Sequence, residues 1–300
     1  MAVGVVIVTF NRINKLKKAL HCYSTQTKRP DYIVIVNNAS TDGTLEFLKK
    51  WKSEEEPFSK YVLNLSSNIG GSGGFYTGLK FAQELESNWI WVADDDAFPE
   101  KNAIEEVEKN LNPNYSAICG EVLNNGKIDL EHRKNYRQGK FRVISKRIPE
   151  EEYKNKKFEI TAFSYVGTVI NKEKLKEVGL PRKEYFIWYD DTEHSLRLHA
   201  VGKIVCIPSI KIHHDTGIAS NELTWKRYYG IRNQADMIRR HFPKKYYRNF
   251  CYLSLLKGIV HNILGHHIKY EMSKVAIQDV KNNNFGLNEI YKPGWKPNLK

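Results

Sequence analysis

The chain predicts an α/β fold with a mostly parallel central sheet flanked by helices, and three observations carry that prediction. Short apolar runs at residues 3–10, 32–36, 61–65 and 89–93 read as strands, the first continuous as in a strand buried on both faces. Between them apolar residues recur at helical spacing, as in Leu16, Leu20 and Tyr23, then Leu45, Leu48 and Trp51, then Leu79, Ala82 and Leu85. Polar residues gather just past the strands: Asn11, Asn37, Asn38, Asn68 and Asp94 to Asp96. Repeated β-α units of this length close by right-handed crossovers into a parallel sheet. Ligands of such sheets sit outside the carboxyl ends of the strands, where these polar residues fall.

Further along, residues 117–122 read as a strand, 124–157 as a long polar excursion or hairpin, and 160–170 as a strand through the core. Residues 184–188 lead into Asp190, Asp191 and Glu193 and a helix through Leu196 and Leu198. Residues 205–214 give one or two short strands ending in His213 and His214, and from Glu222 the chain reads as helical and basic. The expected organisation is residues 1–217 as the catalytic part and 218–300 as a basic helical region touching membrane, acceptor or another subunit.

Composition narrows the class. An apolar share of 41 % over 300 residues is that of a globular protein. Cys22, Cys119, Cys206 and Cys251 are far apart and read as thiols of a reducing compartment, without a disulfide frame or zinc motif. Met1 leads directly into a strand, so no signal peptide is expected, and no apolar run reaches the roughly 20 residues of a spanning helix. These readings predict a cytoplasmic protein. Of the net charge of +13, residues 218–300 hold +10 (15 Lys and Arg against 5 Asp and Glu), which points to an anionic surface or polymer.

The most informative stretch is Trp89-Ile90-Trp91-Val92-Ala93-Asp94-Asp95-Asp96. Three adjacent carboxylates repel one another, and a divalent cation at the strand end reverses that cost. Magnesium in particular is commonly shared between one or two carboxylates and substrate phosphates. A helix cap is the plainer alternative, but one carboxylate suffices for a cap. Gly70, Gly71, Gly73 and Gly74 open a helix after Asn68 and fit neither the dinucleotide nor the P-loop pattern. They read as a flexible turn or as one wall of a substrate pocket. In Asn38-Ala39-Ser40-Thr41-Asp42-Gly43, Ser40 and Thr41 read as turn and cap, while the Asn38 amide suits a nucleobase edge. Asp190 and Asp191 offer a cap or a general base, and His214 a structural residue or a ligand.

Taken together, these motifs resemble the family 2 glycosyltransferases with the GT-A fold. Residues 6–12, 37–43, the Asp94-Asp95-Asp96 triplet and Asp190-Asp191-Thr192-Glu193 are similar, in order, to that family's opening strand, second-strand motif, D-x-D metal motif and catalytic-base motif. A narrower resemblance is to bacterial galactofuranosyltransferases and their rhamnosyltransferase relatives, carried by residues 68–75 and by Tyr228-Tyr229-Gly230-Ile231-Arg232-Asn233.

The resemblance implies inverting transfer of a sugar, galactofuranose favoured, from a nucleotide diphosphate donor to a hydroxyl of a growing, lipid-linked bacterial surface polysaccharide. It implies Mn2+ or Mg2+ on Asp94, Asp96 and His214, the His selected by its distance from Pro208. Asp191 is the implied base, with Asp190 the second choice. Substrate contacts are implied for Thr9, Asn11, Arg12, Asn38, Asp42, Asn68, Gly70, Gly71, Gly73, Gly74, Phe75, Asp95, Trp188, Tyr189, Glu193 and Arg232, with Arg232 adding positive charge at the departing diphosphate. A UDP-sugar is the favoured donor, with dTDP-rhamnose as the alternative, and a glycan or glycolipid is the acceptor. Peripheral contact with the inner membrane face and a homo-oligomer are further expectations. A nucleotidyltransferase and a basic nucleic-acid-binding module are the competing classes. The latter explains neither acidic motif, so no nucleic-acid partner is expected.

Overall fold

The computed structural model describes residues 3–216 and 222–297. The chain runs β1 (Val3–Thr9), α1 (Ile13–Ser24), β2 (Tyr32–Asn37), α2 (Thr44–Ser53), β3 (Ser59–Asn64), α3 (Gly70–Ala82), β4 (Trp89–Asp94), β5 (Ala97–Pro99), α4 (Ala103–Lys109) and β6 (Tyr115–Asn124). It continues with β7 (Lys127–Ile128), β8 (Arg133–Gln138), β9 (Val143–Arg147), β10 (Phe158–Ile160), β11 (Ala162–Phe163), β12 (Thr168–Asn171), α5 (Lys172–Val178), α6 (Asp190–Val201) and β13 (Lys203–His214). Three helices end it: α7 (Lys226–His241), α8 (Lys244–Ile263) and α9 (His267–Lys281). The boundary expected at 217/218 lies outside the described residues.

The central sheet has the order β10-β13-β6-β12-β4-β1-β2-β3. Strands β3, β2, β1 and β4 are parallel, as the β-α repeats predict. Past β4 the sheet becomes mixed, because β12 runs antiparallel between β4 and β6. The stretch expected as one strand at 160–170 breaks into β10, β11 and β12. Of these, β11 joins the excursion hairpin β8–β9 in a separate three-stranded sheet. Residues 203–214 form one long strand, whose pairing with β6 shifts register between Ile207 and Lys211 and whose end pairs with β5. That route carries His214 to the Asp triplet, where the Asp215 N–H donates to the Asp96 carbonyl at 3.0 Å.

Both faces of the sheet are covered. Val5, Ile7, Ile33, Ile35 and Trp91 bury toward α1 and α2, and Val6, Val8, Val34 and Ile90 toward α3. Helix α3 lies close on β1: a Cβ at Gly74 falls 2.5 Å from Val8 Cγ1 and one at Gly78 falls 2.4 Å from Val6 Cγ1. All four cysteines are free thiols. Among the described residues, no helix is long and apolar enough to cross a membrane.

Candidate active site

The Asp triplet sits where β4 ends beside β1. The Thr9 hydroxyl donates to Asp95 Oδ2 at 2.7 Å. The Arg12 guanidinium donates to Asp95 Oδ1 at 3.2 Å and to Asp96 Oδ2 at 2.6 Å. His214 Nε2 lies 3.3 Å from Asp96 Oδ1, and Lys15 stands 3.9 Å from Asp96 Oδ2. Asp94 makes no hydrogen bond among the described residues. Desolvation, reinforced by the charges of Asp96 and Asp95, pushes its carboxyl up to about 7. Burial likewise lifts Asp95 to about 6 despite Thr9 and Arg12. For Asp96 burial acts in the same direction, but His214, Arg12 and Lys15 outweigh it and hold it below the usual carboxylate range. A half-buried carboxylate without a protein hydrogen-bond partner, beside two others, is a donor set that fits a hard divalent cation.

A cavity of about 250 Å3 opens over the triplet, lined by Thr9, Arg12, Asn38, Asn68, Gly70 and Gly71 together with Asp94, Asp95, Phe186, Ile187, Trp225 and Lys226. The Asn38 Nδ2 group donates to Asn68 Oδ1 and to the Gly70 carbonyl, both at 3.0 Å, and Asn38 Oδ1 accepts from the Ile69 N–H at 3.0 Å. The amide expected to read a base thus spends both hydrogens folding the Asn68 loop and keeps one carbonyl lone pair.

Several other expected substrate contacts have local structural partners. Asp42 accepts from the Ile13 N–H at 2.9 Å and the Thr44 hydroxyl at 2.6 Å, capping α1 and α2. Asn11 Oδ1 accepts from the Thr41 N–H at 2.7 Å and locks the adjoining loop. Gly73, Gly74 and Phe75 turn away from the cavity: Gly73 and Gly74 pack on Ile69 and Val8, and Phe75 meets the Tyr165 ring. Glu193 is buried between Arg197 (2.8 Å) and His241 (3.0 Å); burial opposes its ionisation, but these partners hold it down to about 2.

A second cavity, about 1140 Å3, adjoins the first and shares Trp225 and Lys226 with it. Asp191, Trp188, Tyr189 and Thr192 line it, with Lys134 and Tyr136 reaching in from the excursion hairpin. Asp191 Oδ1 accepts from the Thr192 N–H at 2.6 Å and its hydroxyl at 3.2 Å. Burial raises its carboxyl above the ordinary value against these bonds. Asp190 is only 6 % exposed, absent from the cavity wall, and lifted to about 8 by burial and by Asp191. The two adjacent carboxylates therefore differ: one faces open space and the other is sealed.

The backbone before this pair is strained. Phe186, Trp188 and Tyr189 have φ of 67°, 65° and 67°, the left-handed region, costing on the order of 1–3 kcal/mol each. Arg232 and Asn233 hold it there. Asn233 Nδ2 donates to the carbonyls of Tyr185, Ile187 and Trp188, each at 2.9 Å. Arg232 donates to the carbonyls of Tyr185 (3.0 Å), Glu184 (3.3 Å) and Gly286 (2.8 Å). Its guanidinium also lies 4.9 Å from the Tyr229 ring centroid. Arg232, 1 % exposed, thus does not face the Asp triplet, contrary to the expectation from sequence. The tail cation that does reach it is Lys226; burial and Arg12 lower its ammonium pKa while Asp94 and Asp96 oppose that shift. Sequence reading marked the tail as basic but had no periodic signal to single out Lys226, Lys134 or Tyr136.

The central sheet thus ends in carboxylates over one cleft, with a second cavity lined by Asp191 beside it. The model of glycosyl transferase family 2 matches residues 4–179, and the chain belongs to that family. Its solved structural neighbours are GT-A glycosyltransferases. A galactofuranosyltransferase of Mycobacterium tuberculosis is 34 % identical over 95 residues, 32 % of this chain and 30 % of that protein. The match thus spans about a third of that relative's length. A dTDP-rhamnosyl transferase of Shigella flexneri is 28 % identical over 258 residues, 79 % of this chain and 80 % of the other. Among solved structures, S. aureus TarS 1–349 in complex with UDP-GlcNAc superposes with a TM-score of 0.58 at 14 % identity, covering 94 % and 92 % of the two chains. A mannosyltransferase from Pyrobaculum calidifontis in complex with GDP-Man and Mn2+ gives 0.56 at 12 %, covering 93 % and 75 %.

Proposed function

We propose that this chain transfers a hexose with inversion from a nucleotide diphosphate sugar, UDP-galactofuranose favoured, to a hydroxyl of a lipid-linked glycan. The observation that carries the reading is the pair of adjoining cavities: Asp94 and Asp95 line one, Asp191 the other, and Lys226 lines both. The donor's nucleotide would lie against Thr9, the second lone pair of Asn38 Oδ1 and the Asn68 loop. Asp94, Asp96 and His214 would hold Mn2+ or Mg2+, which supplies Lewis-acid neutralisation of the diphosphate.

The acceptor would enter between Trp188, Tyr189 and Asp191. Asp191 takes the proton of the attacking hydroxyl. That oxygen bonds to the anomeric carbon from the face opposite the diphosphate, and the bond from the anomeric carbon to the diphosphate oxygen breaks. Arg12 and Lys226 stabilise the charge that leaves. Asp191 is the better base than Asp190 because it lines the open cavity while Asp190 is sealed. Replacing Asp191 by Asn is expected to lower turnover about 10²- to 10⁴-fold while UDP affinity holds. Near-normal turnover would overturn the assignment.

The dTDP-rhamnosyl reading draws support from the longer alignment with the Shigella flexneri relative. Thermal-shift screening against UDP, dTDP and GDP with Mn2+, then turnover of UDP-galactofuranose and dTDP-rhamnose, decides the donor. Release of pyrophosphate from a nucleoside triphosphate would instead point to a nucleotidyltransferase.

A membrane location for the acceptor finds support in α8. Tyr252, Leu253, Leu256, Ile259, Val260, Ile263 and Leu264 are exposed along one stripe, with Ile263 at 78 %. Lys244, Lys245, Arg248 and Lys257 lie on the same helix. Such a helix suits the boundary of an anionic leaflet. Flotation with anionic vesicles is expected, and its absence at moderate salt would leave the stripe to a second subunit.

A further inference from the structure

The turn between β7 and β8 and the end of β13 bring three ligating side chains together beyond the Asp triplet. Asp129 Oδ2 lies 3.3 Å from His132 Nε2. The same His132 Nε2 lies 3.3 Å from His214 Nδ1. Among the described residues this is the one group of three or more His, Cys, Asp or Glu whose ligating atoms all fall within 4.8 Å of one another. The other ring nitrogen, His132 Nδ1, is 2.7 Å from Ser164 Oγ. When the single proton of a neutral His132 is donated to Ser164, the Nε2 lone pair meets a carboxylate oxygen on one side and an imidazole nitrogen on the other. Three acceptors then converge with no hydrogen between them.

We propose that Asp129, His132 and His214 Nδ1 form a binding site for a first-row divalent transition-metal ion, separate from the Asp94–Asp96 carboxylates. Two imidazoles and a carboxylate favour zinc, with cobalt as its spectroscopic substitute, over magnesium and calcium. A tetrahedral ion with bonds of about 2.0–2.1 Å has edges of about 3.3–3.4 Å, which both measured separations match. The ligands are fixed before any ion arrives. Asp129 Oδ1 accepts from the Glu131 N–H at 3.1 Å, which leaves Oδ2 for the site. Fully buried Arg133, next to His132, donates to the carbonyls of Gly120 (3.0 Å) and Val166 (2.7 Å) and pins the turn to the sheet.

His214 links this site to the catalytic cleft. With Nδ1 on the ion, a neutral ring carries its proton on Nε2, which then donates to Asp96 Oδ1 at 3.3 Å. That is the carboxylate–histidine–metal arrangement common around bound ions. The two ring nitrogens of His214 thus face the two sites, Nδ1 toward His132 and Nε2 toward Asp96. The site would thereby tie the excursion hairpin, which carries Lys134 and Tyr136, to the Asp triplet.

The test is Co2+ titration of the metal-free protein without nucleotide, read by visible absorption. Wild type is expected to take up one equivalent with the intense bands of a tetrahedral ion. Asp94→Asn is expected to keep those bands, while His132→Ala and Asp129→Asn weaken binding at least tenfold. Only weak octahedral bands, bands that survive His132→Ala, or bands lost in Asp94→Asn would overturn the proposal. X-ray absorption at the zinc edge of the wild-type protein, loaded with one equivalent, gives a reading free of variants. Two imidazoles in the first shell are expected, and one or none would contradict the assignment. The result is separable from glycosyl transfer, because Asp129 and His132, whose loss removes the bands, are not among the residues assigned to the donor, its ion or the base.

Discussion

Replacing Asn233 by Ala removes the clamp on the segment that delivers Asp191. Its two amide hydrogens are shared among the carbonyls of Tyr185, Ile187 and Trp188, all at 2.9 Å, inside a fully buried site. Each such bond is worth about 0.5–1.5 kcal/mol net, and carbonyls left unpaired in the interior add to the loss, so about 2–4 kcal/mol is expected. At about 2–4 °C per kcal/mol for a large domain, the melting temperature should fall by roughly 4–16 °C. The released strain at Phe186, Trp188 and Tyr189 favours other backbone angles, so Asp191 no longer holds one position. The assay pairs single-turnover kinetics with UDP titration by calorimetry. Turnover should fall at least tenfold with UDP affinity within about twofold of wild type, since about 1.4 kcal/mol corresponds to a factor of ten. Unchanged turnover with lost UDP binding would refute the clamp and make the Arg232-Asn233 pair a ligand contact after all.

Gly70→Ala should be as damaging by another route: the added Cβ meets the Phe186 carbonyl oxygen at 2.0 Å, at a φ of +78°. A loss of about 2–4 kcal/mol, read by urea denaturation, is expected from overpacking and left-handed strain. Asp190→Asn should stabilise the protein at pH 8 but hardly at pH 4. The folded carboxyl stays protonated up to about 8 whereas the unfolded one ionises near 3.8, so wild type loses stability as pH rises through that window. A melting-temperature difference that does not grow with pH would contradict this. Lys226→Met should weaken UDP binding and lower turnover, whereas Arg232→Met should spare UDP binding and lower turnover through the 184–189 segment. Matched calorimetry on the two variants separates them.

The parallel half of the sheet was legible because β1, β2 and β4 are buried on both faces, with β3 half-buried at the edge, and each helix between them shows one apolar stripe. The mixed half was not. At 160–170 a continuous apolar reading concealed three short strands, since Ala162 and Phe163 pair with the excursion hairpin and not with the central sheet. The Asp triplet and Asp191 stood out because charge beside charge is costly without a reason. Asp42, Asn11, Glu193 and Arg232 were harder, because a side chain that caps a helix or clamps a carbonyl has the same chemistry as one that grips a substrate. Only the partners decide, and here they are the Ile13 and Thr41 N–H groups, Arg197, and the Tyr185 carbonyl. His132 and Asp129 lay in a polar excursion with no motif, and it takes the fold to bring them beside His214.

The central claim is that the carboxylates closing β4 exist to bind a divalent ion together with a nucleotide diphosphate. Calorimetric titration of UDP into wild type and Asp96→Asn, each with Mn2+ and with EDTA, tests it most directly. Tight binding by wild type with Mn2+, weakened at least tenfold both by EDTA and by Asp96→Asn, is the predicted result. UDP affinity that is the same in all four titrations would contradict it.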